Sequence, residues 1–211
     1  MSMMPHVRPL ALTLALLGFG LPAMAQETTT PEAPAEAPAE DLSMGVEVPQ
    51  GPPSKETAQV GQVYLAQNFD LWELRCEKTE AGADPCQLFQ LLYDQEKNPV
   101  IEFSLTSLPP GGQAAAGATI VAPLETLLTA NLTITIDQGK AKIYPFTFCT
   151  QIGCVARVGF TADEVEQFKK GAKATLTVVP AGLPEEKVNA EVSLKGFTAG
   201  FQAVIDSMPK N

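Results

Sequence analysis

Histidine is almost absent from this chain of 211 residues, and the single one, His6, lies close to the N-terminus. Serine and cysteine hydrolases use a histidine as general base, and histidine is also the commonest metal ligand. If the N-terminal segment is removed, the remaining chain cannot build a Ser-His-Asp triad, a Cys-His pair or a histidine-ligated metal site. We therefore expect a protein that is not an enzyme and that carries no cofactor or metal.

Long apolar runs are missing as well, except for one near the N-terminus. Residues 10–21 are apolar, follow the positive charge of Arg8 and precede Ala23-Met24-Ala25, a small-x-small cleavage pattern. About a dozen helical residues reach roughly 18 Å, short of the ~30 Å hydrocarbon core of a bilayer. The pattern predicts a signal peptide over residues 1–25 and no integral membrane segment after its cleavage.

Basic residues are scarce: Lys and Arg number 14 against 24 Asp and Glu, a formal charge of −10. Cleavage would remove Arg8 and no acid, which leaves 13 against 24, or −11. Nucleic-acid binding needs clustered cations, but here they are scattered, and Lys169-Lys170 is the densest pair. We expect no nucleic-acid partner and assign the acidic excess to solubility.

Residues 26–58 consist largely of Thr, Pro, Ala and Glu, with a near repeat of Pro, Ala and Glu over residues 31–40. Such a segment has little apolar surface to bury, so the entropy of ordering it is not offset. We predict a disordered linker over residues 26–58 and a single folded domain over residues 59–208.

The domain alternates apolar and polar residues with a period of two in residues 101–106, 132–136 and 188–194. Alternation gives each strand one buried and one wet face, as in antiparallel sheets. Turn residues such as Pro109-Pro110-Gly111-Gly112 separate these strands. Further strands are predicted at 71–76, 87–93, 143–149, 155–160 and 174–179.

Two short helices interrupt this pattern. Thr161 and Glu164 match a capping box before a helix that ends at Gly171. The second helix is predicted over residues 198–207, because its apolar residues recur at helical spacing. The fold class predicted is mainly β, an antiparallel β-sandwich or barrel-like domain with two short covering helices.

The four cysteines are Cys76, Cys86, Cys149 and Cys154. An even number in an exported chain favours two disulfides. Three pairings are possible, and we favour the two local ones, as structural disulfides. The alternatives are a tetrathiolate zinc site and a redox-active Cys149 and Cys154 pair. Trp72, the only tryptophan, shares a strand face with Cys76 and is predicted to be a core aromatic packed against a disulfide.

Two kinds of functional residue remain. Glu73, Glu102, Asp137 and Glu191 could supply a carboxylate pair for glycan hydrolysis, although all are predicted on polar strand faces or turns. Gln151 and Ile152 lie between Cys149 and Cys154, so a local disulfide would lock them on a strand tip. Gln151 and Ile152 are therefore candidate partner contacts.

Several segments together resemble one family. They are Phe-Asp-Leu-Trp-Glu-Leu-Arg-Cys at 69–76, Pro-Cys-Gln-Leu-Phe-Gln at 85–90, Ile-Asp at 136–137, Pro-Phe at 145–146 before Cys149, Gly-Cys at 153–154, and Val-Ser-Leu-Lys-Gly-Phe at 192–197. In this order they are similar to the invasion-associated locus B proteins over residues 69–205. The chain departs from the family at Asp70-Leu71-Trp72, where members usually have Gly-Asp-Trp.

The resemblance implies a bacterial envelope protein that is periplasmic, surface-exposed or secreted, and it brings no known catalytic residues. The expected function is that of an exported, non-enzymatic protein that binds an envelope or host-surface protein, in host-cell invasion or envelope maintenance. The alternative is an envelope enzyme, either a thiol-disulfide exchanger at Cys149 and Cys154 or a carboxylate-based glycan hydrolase.

Overall fold

The structure, a computed structural model, describes Gly45 and residues 51–208. The predicted signal peptide and most of the predicted linker lie outside the described residues. The strands are β1 (Val63–Phe69), β2 (Trp72–Glu77), β3 (Cys86–Tyr93), β4 (Pro99–Ser107), β5 (Ala116–Ala122), β6 (Leu132–Ile136), β7 (Lys142–Tyr144), β8 (Phe148–Thr150), β9 (Gly153–Phe160), β10 (Lys173–Val178) and β11 (Val188–Ser193), with helices α1 (Ala162–Lys170) and α2 (Phe197–Ser207).

The strands form two antiparallel sheets. The larger has seven strands in the order β1-β2-β3-β4-β5-β9-β8, and the smaller has four in the order β11-β10-β6-β7. Both sheets are open, so the fold is a β-sandwich with two helices, one of the two architectures predicted from the sequence. The apolar faces of the two sheets and of both helices share one core.

Period-two alternation gives each strand of the large sheet an inner and an outer face. In β4, Ile101, Phe103 and Leu105 are buried while Glu102 is exposed. In β5 the inner positions are small alanines together with Ile120, and Gly117 and Thr119 point to the outer face. This outer face is not covered by either helix or by the small sheet, so its side chains are the ones available to solvent.

The prediction of one strand over residues 143–149 is wrong, because the structure has two separate strands there, β7 and β8. These two strands lie at the edges of different sheets. Pro145 between them has no N–H group and cannot continue a ladder of hydrogen bonds. The chain crosses from one sheet to the other at this point.

Helix α1 begins at the predicted capping box. The Thr161 side chain accepts a hydrogen bond from the Glu164 backbone N–H, and the Glu164 carboxylate accepts one from the Thr161 N–H. Helix α2 begins after Gly196, whose φ of +82° is left-handed. A Cβ there would lie 2.3 Å from the Phe69 carbonyl oxygen, so only glycine fits this contact.

The end of the predicted linker that the structure describes makes contacts with the domain. Ala58 N–H donates to the Ser54 carbonyl at 2.9 Å, and Leu65 N–H of β1 donates to the Pro53 carbonyl at 3.1 Å. Ala58 also packs on the hydrophobic core. Residues 53–58 therefore form a turn that lies along β1.

Candidate functional site

The structure places Trp72 in the core, where it is fully buried between Phe103 and Phe197. Its indole N–H donates to the Ser193 carbonyl at 2.8 Å. The side-chain amide of Gln90 on β3 makes two hydrogen bonds to Ser193. It accepts one from the Ser193 N–H at 2.9 Å and donates one to the Ser193 carbonyl at 3.2 Å. Trp72 and Gln90 thus join the large sheet to β11, and Trp72 is not available as a ligand platform.

The four cysteines form the two local pairs, Cys76–Cys86 and Cys149–Cys154. Cys76 and Cys86 face each other directly across β2 and β3, and both are buried. Their neighbour Asp84 accepts hydrogen bonds from Thr79 N–H at 2.8 Å and from the buried Tyr64 hydroxyl at 2.8 Å. Desolvation, together with this hydrogen bond, raises the pKa of Tyr64 to about 12, and the hydrogen bonds from Thr79 and Tyr64 lower the pKa of Asp84.

The second disulfide lies across the hairpin of β8 and β9, and we call residues 148–153 the disulfide tip. Cys149 is exposed and Cys154 is buried, and the two residues are direct register partners. β8 is the last strand of the large sheet. The tip is therefore held to the sheet by one covalent bond and one strand pairing.

Gly153 fixes the tip against the end of β5. A Cβ on Gly153 would lie 2.5 Å from the Ala122 carbonyl oxygen and 2.6 Å from the Val121 side chain, and its φ is +150°. The Thr150 hydroxyl accepts a hydrogen bond from the Ile152 N–H at 3.3 Å across the turn. These contacts restrict the backbone of the tip.

The tip exposes apolar and polar side chains together. Ile152 is 79% exposed, the highest value among the large apolar residues described, so it does not fold back onto the core. Phe148 is 42% exposed, with the Arg157 guanidinium 5.7 Å from its ring centre. Gln151 is exposed beside Ile152. An apolar side chain held out on a rigid turn is a surface suited to contact with another macromolecule.

Each of the four candidate carboxylates has its own local surroundings. Glu73 lies 2.7 Å from Arg75 on the same strand, and Glu191 lies 2.6 Å from Lys173. Asp137 accepts hydrogen bonds from the Ala172 and Lys173 N–H groups, both at 3.1 Å. Glu102 is exposed on β4. Three of the four are thus engaged in local structural contacts.

Glu164 is the carboxylate with the most unusual environment. It is buried, and it accepts hydrogen bonds from Lys142 Nζ at 2.7 Å, the Tyr144 hydroxyl at 3.1 Å and the Thr161 backbone and hydroxyl, each at 2.9 Å. Burial alone would raise the pKa of Glu164, but these donors outweigh it and hold its pKa at about 2. The sequence pattern predicts its capping role but not its bonds to β7.

An open groove with a volume of about 960 Å³ lies beside α1, α2 and the loop between β4 and β5. Its lining is mostly apolar, including Leu108, Val165 and Phe201. The charged residues that line it, Glu166 and Lys169, pair with each other at 2.8 Å. The groove therefore presents neither a free acid nor a free base to a substrate.

Within the described part of the chain, no group of three or more His, Cys, Asp or Glu side chains is placed to hold a metal ion. Nor does any helix formed by these residues have the length and apolar character needed to cross a bilayer. Both statements apply to Gly45 and residues 51–208 alone.

A protein-family model matches residues 72–205, and its description is invasion associated locus B (IalB) protein. The match begins at the core tryptophan and ends in α2, so it includes both disulfides and every strand except β1.

The chain is also similar to the invasion protein B homologs of two Brucella abortus strains, 2308 and biovar 1 strain 9-941. Each is 22% identical over 144 residues, which cover 68% of this chain and 81% of the homolog. Among solved structures, the crystal structure of invasion associated protein b from Bartonella henselae aligns with a TM-score of 0.56 and 19% identity. The alignment covers 66% of this chain and 95% of that one, and it shows a shared fold.

Proposed function

Because the chain belongs to the invasion associated locus B family, we propose that it is an exported, non-enzymatic envelope or secreted protein that acts by binding another protein or a cell surface. The binding would serve host-cell invasion or envelope maintenance. The predicted signal peptide and the two disulfides support export to the periplasm, to the cell surface or to the medium.

The observation that carries this proposal is the disulfide tip. Ile152 is held out at 79% exposure, where burying it against a partner would release ordered water. A full burial of such a side chain contributes roughly 2 kcal/mol. Because the disulfide and Gly153 already fix the tip, little conformational entropy is lost on binding.

Several features support a non-enzymatic role. Histidine is missing after residue 6, and Glu73, Asp137 and Glu191 have structural partners. Cys149 and Cys154 lie on two paired strands, whereas reactive thiol pairs use a helix N-terminus to stabilise the thiolate.

The test is a quantitative capture experiment with residues 26–211 as bait, on bacterial envelope extracts and on host-cell membrane extracts. Ile152→Ser removes the exposed apolar contact and should leave the fold unchanged. The amount of each captured partner should therefore decrease at least tenfold. The matched control is Leu183→Ser, because Leu183 is also an exposed apolar turn residue, at 53%, but belongs to the connection between β10 and β11 and not to the disulfide tip.

Leu183→Ser should capture the same partners as the wild type. Equal loss in both variants would mean that capture depends on general surface hydrophobicity. Equal retention in both would show that the tip is not the contact, and either result contradicts the proposal.

A further inference from the structure

The outer face of the large sheet holds both arginines that remain after the predicted signal peptide. Arg75 of β2 and Arg157 of β9 are the only arginines after Arg8 in an otherwise acidic chain. Each guanidinium lies over a phenylalanine ring, 3.3 Å from the Phe89 centre and 5.7 Å from that of Phe148. Stacked guanidinium groups keep their hydrogen-bonding edge free for a planar anion.

The two arginines differ in their charge partners. Arg75 is paired with Glu73 at 2.7 Å, through both Nε and one terminal nitrogen. Arg157 is exposed and makes no ion pair within the described residues. An anion would therefore be attracted to Arg157, where no carboxylate of the described residues pairs with the guanidinium.

Next to Arg157 the sheet has a depression where two glycines lie opposite each other. Gly117 of β5 and Gly159 of β9 are register partners on the outer face. Glycine weakens a strand interior, and it often marks a place where a ligand approaches the backbone.

The fold itself does not require glycine at position 117. The atoms nearest to a Cβ there belong to the Leu108 side chain, at an ordinary contact distance of 3.6 Å, and Gly117 does not have a left-handed φ. A Cβ on Gly159 would be 3.2 Å from the Ala114 Cβ, a slightly tight contact. The missing side chain at Gly117 is thus left unexplained by packing.

The depression has a volume of about 360 Å³, within the range of small-molecule sites. Thr106, Leu108, Thr119 and Arg157 surround the two glycines. Thr119 is exposed, and its hydroxyl has no hydrogen-bond partner among residues 51–208. Because β5 pairs with β4 on one side and β9 on the other, the floor at Gly117 offers no free backbone groups to an extended peptide.

We propose that this depression binds a carboxylate-bearing sugar unit, with the carboxylate on Arg157, the sugar hydroxyls on Thr106 and Thr119, and the ring against Gly117 and Leu108. A guanidinium fork matches a carboxylate, and threonine hydroxyls both donate to and accept from sugar hydroxyls. The acidic chain repels densely charged polyanions, which favours an isolated carboxylate within a hydroxyl-rich ligand. This site adjoins the disulfide tip at Phe148, whose ring lies under Arg157, but it does not include Ile152 and does not rest on the function proposed above.

The test is an NMR titration of residues 26–211 with glucuronate, and with glucose as the matched ligand that lacks the carboxylate. Glucuronate should shift the amide signals of Gly117, Thr119 and Gly159 in a saturable way. Glucose should bind at least tenfold more weakly. Arg157→Gln should lower the affinity for glucuronate at least tenfold.

Gly117→Ala supplies the second arm of the test. The added methyl group should lower the affinity for glucuronate at least tenfold. The melting temperature should stay the same or rise, because alanine fits the fold and reduces the conformational freedom of the unfolded chain. The controls are Arg75→Gln and Ile152→Ser, which should bind glucuronate within twofold of the wild type.

Four results would overturn the proposal: no saturable shift with glucuronate, equal binding of glucose, binding of acetate as tight as that of glucuronate, or unchanged binding by Gly117→Ala. Tight binding of an acidic peptide at the same amides would assign the depression to a protein ligand instead. None of these results depends on the capture experiment, so failure of this site leaves the role of the disulfide tip untouched.

Discussion

At the scale of single residues, buried polar side chains link parts of the chain that are far apart in sequence. The side chains of Gln90 and Trp72 both hydrogen-bond to Ser193, which lies more than 100 residues further along the chain. Glu164 of α1 hydrogen-bonds to Lys142 of β7. Each of these links satisfies groups that would otherwise be costly to bury. The domain therefore depends on a few polar contacts as well as on its core.

Glu164 gives a prediction for stability as a function of pH. Its pKa is about 2 in the folded chain against an ordinary value of 4.5, so its contribution is complete above about pH 5. That contribution decreases as the pH falls from about 4.5 through 2. Glu164→Gln should lower the free energy of unfolding at pH 7 by about 2 kcal/mol, and less at pH 2.5, as measured by urea denaturation.

The control is Glu166→Gln on the same helix, where the ion pair with Lys169 is exposed to solvent and should contribute little to the free energy of unfolding. A Glu164→Gln variant as stable as the wild type at pH 7 would show that the buried contacts are energetically neutral.

Asp70 shows how one residue can depart from a family pattern and keep the fold. It has a φ of 61°, in the left-handed region that favours glycine, at the position where the resemblance gives glycine. Aspartate tolerates this conformation better than most residues, and its carboxylate pairs with Lys195 at 2.6 Å. This chain therefore makes the tight turn before Trp72 with aspartate at that position.

At the scale of elements, alternation and caps predict most of the strands and both helices. β4, β6 and β11 have clear two-residue patterns, and α1 has its capping box. The prediction misses β5, because Ala116, Gly117 and Ala118 are too small to give a hydrophobic pattern. It also misses β1, an edge strand with few buried residues and a bulge near Leu65.

The depression beside Arg157 could not be predicted from the sequence. Gly117 and Gly159 are 42 positions apart and meet only because β5 pairs with β9 in this register. Strand order and register depend on how the whole sheet assembles, which local alternation does not determine. The tip was predictable because Cys149 and Cys154 are close in sequence.

The two disulfides give a prediction at the same scale, because both join adjacent strands. We expect both to be structural, so the oxidised protein should keep them in millimolar glutathione. In Cys76–Cys86 both residues are buried, whereas Cys149 is exposed, so stronger reductants should open Cys149–Cys154 first. Thiol alkylation followed by peptide mass mapping gives the order of opening. Opening of Cys149–Cys154 by glutathione alone would instead support thiol exchange.

At the scale of the whole molecule, the structure refines where the folded domain begins. Deleting residues 26–50 should leave the melting temperature within about 1 °C, because their composition offers little apolar surface to bury. Deleting residues 26–58 should lower it by several degrees, since it removes Ala58 from the core and the Pro53 carbonyl from Leu65. Calorimetry of both deletions measures the difference, and equal melting temperatures would show that the turn on β1 contributes nothing.

At the scale of the whole molecule, the proposed recognition takes place at one corner of the β-sandwich. The disulfide tip lies on the last strand of the large sheet, where a partner can approach without displacing the core or the helices. Binding at this corner is consistent with membership of the invasion associated locus B family.

The most direct test is site-specific photo-crosslinking in living cells, with a photoreactive amino acid in place of Gln151 and, as control, in place of Leu183. If the disulfide tip is the contact, irradiation at position 151 should give one discrete higher-mass adduct that disappears when Ile152→Ser is added. Position 183 should give none. Adducts of equal yield at both positions, or none at position 151 in any growth or host-contact condition, would contradict the account.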